Sequence, residues 1–509
     1  MLKKVRVGVS AAACVLITFY FIDFAELMPH YFGWLARVQL LPALLSRGVL
    51  AVVVAWLLLT LAVGRVYCSS ICPMGIFQDL VAWISRRAGK KRKRYRYRRP
   101  RVVVRVLALV VPMVLFWTGF PLLLGLLEPY SAYGRMVTAV FKPLYMAGNN
   151  LLEAFLSLFN HHALYRVGIF VQSLSALLVG LLTLAVIGAL AWRYGRTWCN
   201  TFCPVGAVLG FLSKYSLFRV RLDADKCTRC GACAARCKAG CIDSKEKRVD
   251  GSRCVACFNC LDTCKFQALS FSLAARRRAG VGEAGVADAS RRRFLLASAA
   301  TAVAVPGALA AAPLKLVTGT TERRKQFPVA PPGAVSYEHL SSHCTSCHLC
   351  VSKCPSRVLK PAFMEYGLGG MMQPTVYYEK GFCNYNCTVC GDVCPNGAIH
   401  SLTTEQKQMT QIGHVVFVEE LCVVITDGTS CGACSEHCPT QAVTMIPHRD
   451  GLTRPHVDTS ICVGCGGCEY ICPVRPLRAI YVEGHPVQAE RAAFTEEEEK
   501  EVIIDDFGF

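Results

Sequence analysis

Cys227, Cys230, Cys233 and Cys237 are spaced C-x2-C-x2-C-x3-C, and this spacing recurs along the 509-residue chain. Cys254, Cys257, Cys260 and Cys264 repeat it. Four further runs follow in the C-terminal part: Cys344, Cys347, Cys350, Cys354; then Cys383, Cys387, Cys390, Cys394; then Cys422, Cys431, Cys434, Cys438, with its leading cysteine displaced upstream; then Cys462, Cys465, Cys468, Cys472. Such a run wraps three thiolates around one [4Fe-4S] cube and sends the fourth to a partner cube. By that rule Cys227, Cys230, Cys233 and Cys264 hold one cluster, and Cys254, Cys257, Cys260 and Cys237 hold another. Structural zinc uses pairs of cysteines rather than complete runs of four, and the spacings speak against a disulfide scaffold. All four C-terminal runs end in Cys-Pro, whereas Lys238 and Lys265 stand at the equivalent positions of the first two. The six runs use 24 of the 30 cysteines; the others are Cys14, Cys241 and four in a second motif.

That second motif is C-x3-C-P-x-G, at Cys68 to Gly75 and again at Cys199 to Gly206. Each copy follows an apolar stretch. Val5 to Met28, Leu44 to Gly64, Val106 to Leu127 and Val167 to Trp192 are long enough to cross a bilayer, and Lys3, Lys4 and Arg6 set the start inside. Pro112 and Pro121 interrupt the third. Four spans then leave both motifs at the inner surface, with Glu128 to Tyr165 outside. The repeat suggests duplicated helix pairs whose four thiols hold an iron-sulfur centre or another soft metal, form redox-active pairs, or cap helices. Asp23 and Glu26 would share one helix face near the outer end of the first span, where they would accept protons or snorkel to water. His161 and His162 read as solvated loop residues.

Between the two cysteine-rich units, Arg291 to Arg293, the apolar Phe294 to Val305 and Ala308-Leu309-Ala310 have the order of a twin-arginine export signal. Cleavage after Ala310 would release the last part, and retention would tether it. Export of folded cargo would let clusters be loaded before crossing. Pro328 to Pro332 reads as a linker, His414 to Glu419 and Ala442 to Ile446 as short strands, and Glu496 to Asp506 as a solvated acidic tail. The formal charge of +21 is densest at Arg86 to Arg105, with twelve Lys or Arg residues between apolar runs. That is a cytoplasmic loop rather than a nucleic-acid surface.

The first half, with its spans, its two C-x3-C-P motifs and its pair of cluster runs, resembles NapH-type membrane subunits. The second half is similar to NapG/MauM-type periplasmic polyferredoxins, which are normally separate chains. The resemblance implies a quinol dehydrogenase-type subunit of the bacterial inner membrane. Its partners would be membrane lipid, quinone and a periplasmic reductase or cytochrome, and its cofactors six [4Fe-4S] clusters, a quinone and one further thiolate-bound centre. It also implies that C-terminal runs one and four share a cluster pair, as do runs two and three, although pairing in order fits the spacing equally. An accessory factor that activates a periplasmic metalloenzyme is the alternative. No catalytic residues are expected, because no nucleophile with its base, phosphate loop or nucleotide fingerprint is present. The fold class expected is an all-α membrane bundle joined to α+β ferredoxin-like modules: a membrane domain over 1–215, a cytoplasmic ferredoxin over 216–275, a linker over 276–320, a polyferredoxin over 321–485 and a tail over 486–509.

Overall fold

A computed structural model describes residues 2–24, 27–28, 30–46, 50–88, 95–273 and 325–492. The export-type stretch, Glu26 and the acidic tail lie outside the described residues.

Among the described residues, two helices are long and apolar enough to cross a membrane: α1 (Leu2–Ile22) and, later in the chain, Leu174–Tyr194. The other two expected spans are shorter. One becomes α2 (Leu50–Val63). The next is α3 (Val102–Trp117), which stops before Gly119 at φ +86°, and Pro121 then starts the separate helix Leu122–Leu127. The last begins only at Leu174, where the Ser173 hydroxyl accepts from the Ala176 amide. α1 likewise ends before Asp23, whose carboxylate accepts from the Leu27 and Met28 amides. Asp23 thus caps a turn just beyond the helix; the other half of the expected pair, Glu26, lies outside the described residues. Large apolar side chains remain exposed along these helices, among them Val15, Leu58, Leu174 and Leu182.

The stretch from Glu128 to Tyr165, expected outside the membrane, is helical over most of its length. Glu128, fully buried, caps α4 (Pro129–Met136), every residue of which is buried. A π-turn over Val137–Phe141 carries the helix on into α5 (Lys142–Ser157). With Leu174–Tyr194 as α6, Gly180 of α6 meets the Ala139 methyl closely enough that a Cβ there would lie 2.9 Å away. His161 and His162 are exposed beyond α5.

The first cysteine-rich unit is closed by an antiparallel pair, β1 (Phe218–Leu222) with β2 (Leu269–Leu273), which brackets both of its runs. In the second unit β3 (Thr410–Phe417) pairs with β6 (Ile480–Glu490), and β4 (Val443–Pro447) forms a hairpin with β5 (Thr453–Val457). β6 continues past 485 before the tail begins. The expected linker at Pro328 to Pro332 is part of this unit: Val329 and Ala330 are buried, and Val329 bridges to Val376.

The two cysteine-rich units contact opposite ends of α1. At its start Lys3 Nζ lies 2.7 Å from Asp262 Oδ2. At its end Asp23 Oδ2 lies 2.9 Å from Lys353 Nζ, with both side chains almost fully buried, and Ser352 Oγ donates to the Phe21 carbonyl. Ser131 bonds Thr345, the Arg135 guanidinium donates to the Ser346 carbonyl, and Lys142 donates to Ser352.

Candidate metal centres

All 30 cysteines are free thiols, so no disulfide scaffold is present. In the first unit the thiols line two cavities. One, about 360 Å³, is walled by Cys227, Cys230, Cys233 and Cys264; the other, about 350 Å³, by Cys237, Cys254, Cys257 and Cys260. Each wall combines three thiols of one run with the fourth of the other. Cys241, which had no role in the spacing, also lines the second cavity, with its sulfur 3.4 Å from that of Cys237.

The C-terminal unit groups its thiols by run order. Cys344, Cys347 and Cys350 have Cys394 as an electrostatic neighbour, and Cys354 falls with Cys383, Cys387 and Cys390. Cys462, Cys465 and Cys468 have Cys438, while Cys422 and Cys431 fall with Cys434 and Cys472. Runs one and two therefore exchange their fourth cysteines, as do runs three and four, and the pairing of run one with four and run two with three implied by the resemblance is not what forms. The helices that carry the runs pack in the same order: α7 (Leu349–Lys353) against α8 (Val389–Asp392), and α9 (Ala433–Glu436) against α10 (Gly467–Ile471). Cys383 N–H donates to the Cys465 carbonyl, which joins the two pairs. The four groups thus follow one another from Thr345 and Ser346, which meet Ser131 and Arg135, out to Cys422.

The backbone of these loops is shaped for an anionic occupant. Positive φ recurs two and four residues after the first cysteine of four runs: Arg229 and Gly231, Ala256 and Phe258, Ser346 and His348, Gly464 and Gly466. Left-handed residues spaced this way curl a loop so that successive amides form an anion-binding nest. The Ser346 and Gly464 amides donate to Cys344 and Cys462 sulfur. Five of the eight residues are not glycine, so composition carried no signal for them. Burial pushes the Cys344 thiol up to about 12 and those of Cys383 and Cys465 to about 11, so a bound cation is what would hold them as thiolates. Among the described residues no three His, Cys, Asp or Glu side chains gather tightly enough for a single metal ion. A tetrahedral zinc site would bring its thiolates within about 3.8 Å of one another. Cavities walled by four well-separated thiols fit the larger cube.

Of the candidates in the N-terminal part, Cys68, Cys72, Cys199 and Cys203 are brought together, each nearly inaccessible. Cys14 lies apart on α1 beside Thr18 and Tyr133. Asp23 is committed to Lys353 and two amides rather than open to receive a proton.

These sites define an iron-sulfur electron-transfer protein of ferredoxin type. A family model described as a 4Fe-4S binding domain matches residues 48–91 and 176–223, and one described as a 4Fe-4S dicluster domain matches 429–475, spanning C-terminal runs three and four except Cys422. The chain is 32% identical over 196 residues to the ferredoxin-type protein NapG of Escherichia coli, covering 36% of this chain and 80% of that one. It is 25% identical over 163 residues to the ferredoxin-type protein NapF of the same organism, covering 32% and 91%. It is 29% identical over 206 residues to the methylamine utilization ferredoxin-type protein MauM of Methylophilus methylotrophus, covering 37% and 84%. The chain belongs to the NapG family of ferredoxin-type proteins over that matched part. No solved structure matches it.

Proposed function

We propose that this chain takes electrons from membrane quinol and delivers them, by way of six [4Fe-4S] clusters, to a periplasmic reductase or cytochrome. In this reading a NapH-type membrane bundle over 1–215 and its cytoplasmic ferredoxin are fused to a NapG/MauM-type polyferredoxin, exported through the twin-arginine-type stretch and held on the outer face of the inner membrane. The observation that carries the reading is α1: Lys3 meets Asp262 of one cysteine-rich unit at its start, and Asp23 meets Lys353 of the other just past its end. A 21-residue helix is about 31 Å long, close to the thickness of a bilayer's hydrocarbon layer. The exposed apolar side chains of α1, α2 and α6 supply the lipid-facing surface.

The clusters would supply one-electron carriage, and the protein does the rest. Cys227, Cys230, Cys233, Cys264 and Cys237, Cys254, Cys257, Cys260 hold the inner pair. The sixteen C-terminal cysteines hold the outer four as a file, beginning where Arg135 and Ser131 grip Thr345 and Ser346. Amide donors to the sulfurs tune each potential. Sidedness tests the reading. Protease added to right-side-out spheroplasts is expected to digest a C-terminal tag and to leave an epitope in the 245–248 turn intact; the reverse pattern, or protection of both, sinks it.

A further inference from the structure

The two C-x3-C-P copies share more than their cysteines. Gly64-Arg65-Val66-Tyr67 precedes Cys68, and Gly195-Arg196-Thr197-Trp198 precedes Cys199, each a glycine, an arginine, any residue and an aromatic. Each copy forms one helical turn, Val66–Ser70 or Thr197–Thr201, and each second cysteine amide donates back to the aromatic residue's carbonyl. Proline then starts the next helix. The arginines are exchanged: Arg196 donates to the Cys68 carbonyl, and Arg65 to the Cys199 carbonyl, 3.2 Å away. The motif glycines leave room for this. A Cβ on Gly75 would lie 2.3 Å from the Cys68 oxygen and 3.0 Å from Arg196, and one on Gly206 2.1 Å from the Cys199 oxygen and 3.0 Å from Arg65.

We propose that Cys68, Cys72, Cys199 and Cys203 form a single ligand set for an anionic [4Fe-4S] centre, clamped by the exchanged guanidiniums of Arg65 and Arg196. The proposal rests on the iron-sulfur reading of the chain and adds a seventh centre to it. Three observations carry it. First, each of the two regions matched by the 4Fe-4S binding model holds only two cysteines, so a four-ligand cube requires both. Second, the charges do not balance without an anion. Asp79 is shared by Arg6, Arg196 and Lys238. The position equivalent to Asp79 in the second copy is Gly210, whose missing side chain makes way for the Arg105 guanidinium. Arg65, fully buried, bonds Asn200, two carbonyls and Cys68 sulfur, and neither it nor Arg105 has a salt-bridge partner among the described residues. A buried cation without a counter-charge is strongly destabilising, and a cube held by four thiolates supplies that charge. Third, the sulfurs receive donors: Gln78 Nε2 at 3.1 Å from Cys199, the Gly206 amide at 3.2 Å from Cys203 and Arg65 at 3.7 Å from Cys68.

The site also stands between the two ferredoxin units. Arg65 and Asn200 bond Ser252 and Ala239 of the inner one. On the other side Glu128 lies within electrostatic range of both Cys72 and Cys347, and one continuous packed core contains Cys257, Cys72, Cys203 and Cys347.

Iron and acid-labile sulfide counts with EPR on the purified full-length protein test this, comparing wild type with Cys199→Ala. The variant is expected to lose about four irons and four sulfides per chain and one paramagnetic signal, with the other signals kept. Unchanged counts, or the loss of one zinc instead, overturn the proposal. Arg65→Gln keeps all four thiols. It is expected to retain wild-type iron while one cluster's midpoint moves to lower potential, because a lost cation disfavours the more negative reduced state. Midpoints that all stay in place overturn the clamp even if Cys199→Ala fails to fold. These readings need no quinol, so failure of quinol oxidation would leave them untouched.

Discussion

Replacing Lys353 by methionine is expected to undock the C-terminal ferredoxin from the end of α1. Lys353 Nζ lies 2.9 Å from Asp23 Oδ2 and 4.8 Å from the centre of the Tyr20 ring, and the two charged side chains are 3% and 1% exposed. Removing the cation strands a carboxylate in a dry interface, which costs about 3–5 kcal/mol, or roughly two to four orders of magnitude in the docking equilibrium. The remaining contacts, Ser131 with Thr345, Arg135 with Ser346 and Lys142 with Ser352, cluster beside it and would loosen with it. Hydrogen exchange over 345–353 is expected to lose protection in Lys353→Met and to regain most of it in Asp23→Asn/Lys353→Met, because replacing both members of a buried pair is often near neutral. Full protection in the single variant would mean that the pair does not hold the interface.

The second large effect concerns ligand sharing. Cys431→Ala and Cys472→Ala each remove a thiol from the group that also contains Cys422 and Cys434. Each variant is expected to lose about four irons, and the double variant also about four, since both act on the same cube. Pairing run one with run four and run two with run three would assign the two cysteines to different cubes and double the loss. An iron count of the double variant near eight below wild type would therefore overturn the in-order grouping.

The sequence made the ligand inventory legible, because thiol spacing along a short loop is dictated by the cube itself. It was equally informative for the inner unit, where only two runs are available to exchange their fourth cysteines. With four runs the spacing is indifferent to which helices pack together, and it took α7 on α8 and α9 on α10 to decide. The left-handed residues around the cysteines, such as Phe258 and His348, carry no compositional mark. The exchanged arginines did carry one: a Gly-Arg-x-aromatic prefix immediately before each C-x3-C-P, with the arginine three residues ahead of the first cysteine. Hydropathy located the apolar stretches but not their ends, which are set by Asp23, Gly119 and Ser173 through turns and caps rather than by hydrophobicity. It gave no sign that the polar side chains after Glu128 serve the contact with Thr345 and Ser346.

The central claim is that electrons entering at the membrane reach the far end of the C-terminal file. Full-length protein in quinol-containing liposomes, with cluster reduction followed by EPR, tests it most directly. The account predicts that quinol reduces clusters of the C-terminal unit, including the one whose signal Cys431→Ala removes, and that Lys353→Met slows this at least tenfold while dithionite still reduces every cluster. C-terminal clusters that stay oxidised with quinol yet respond fully to dithionite would contradict it.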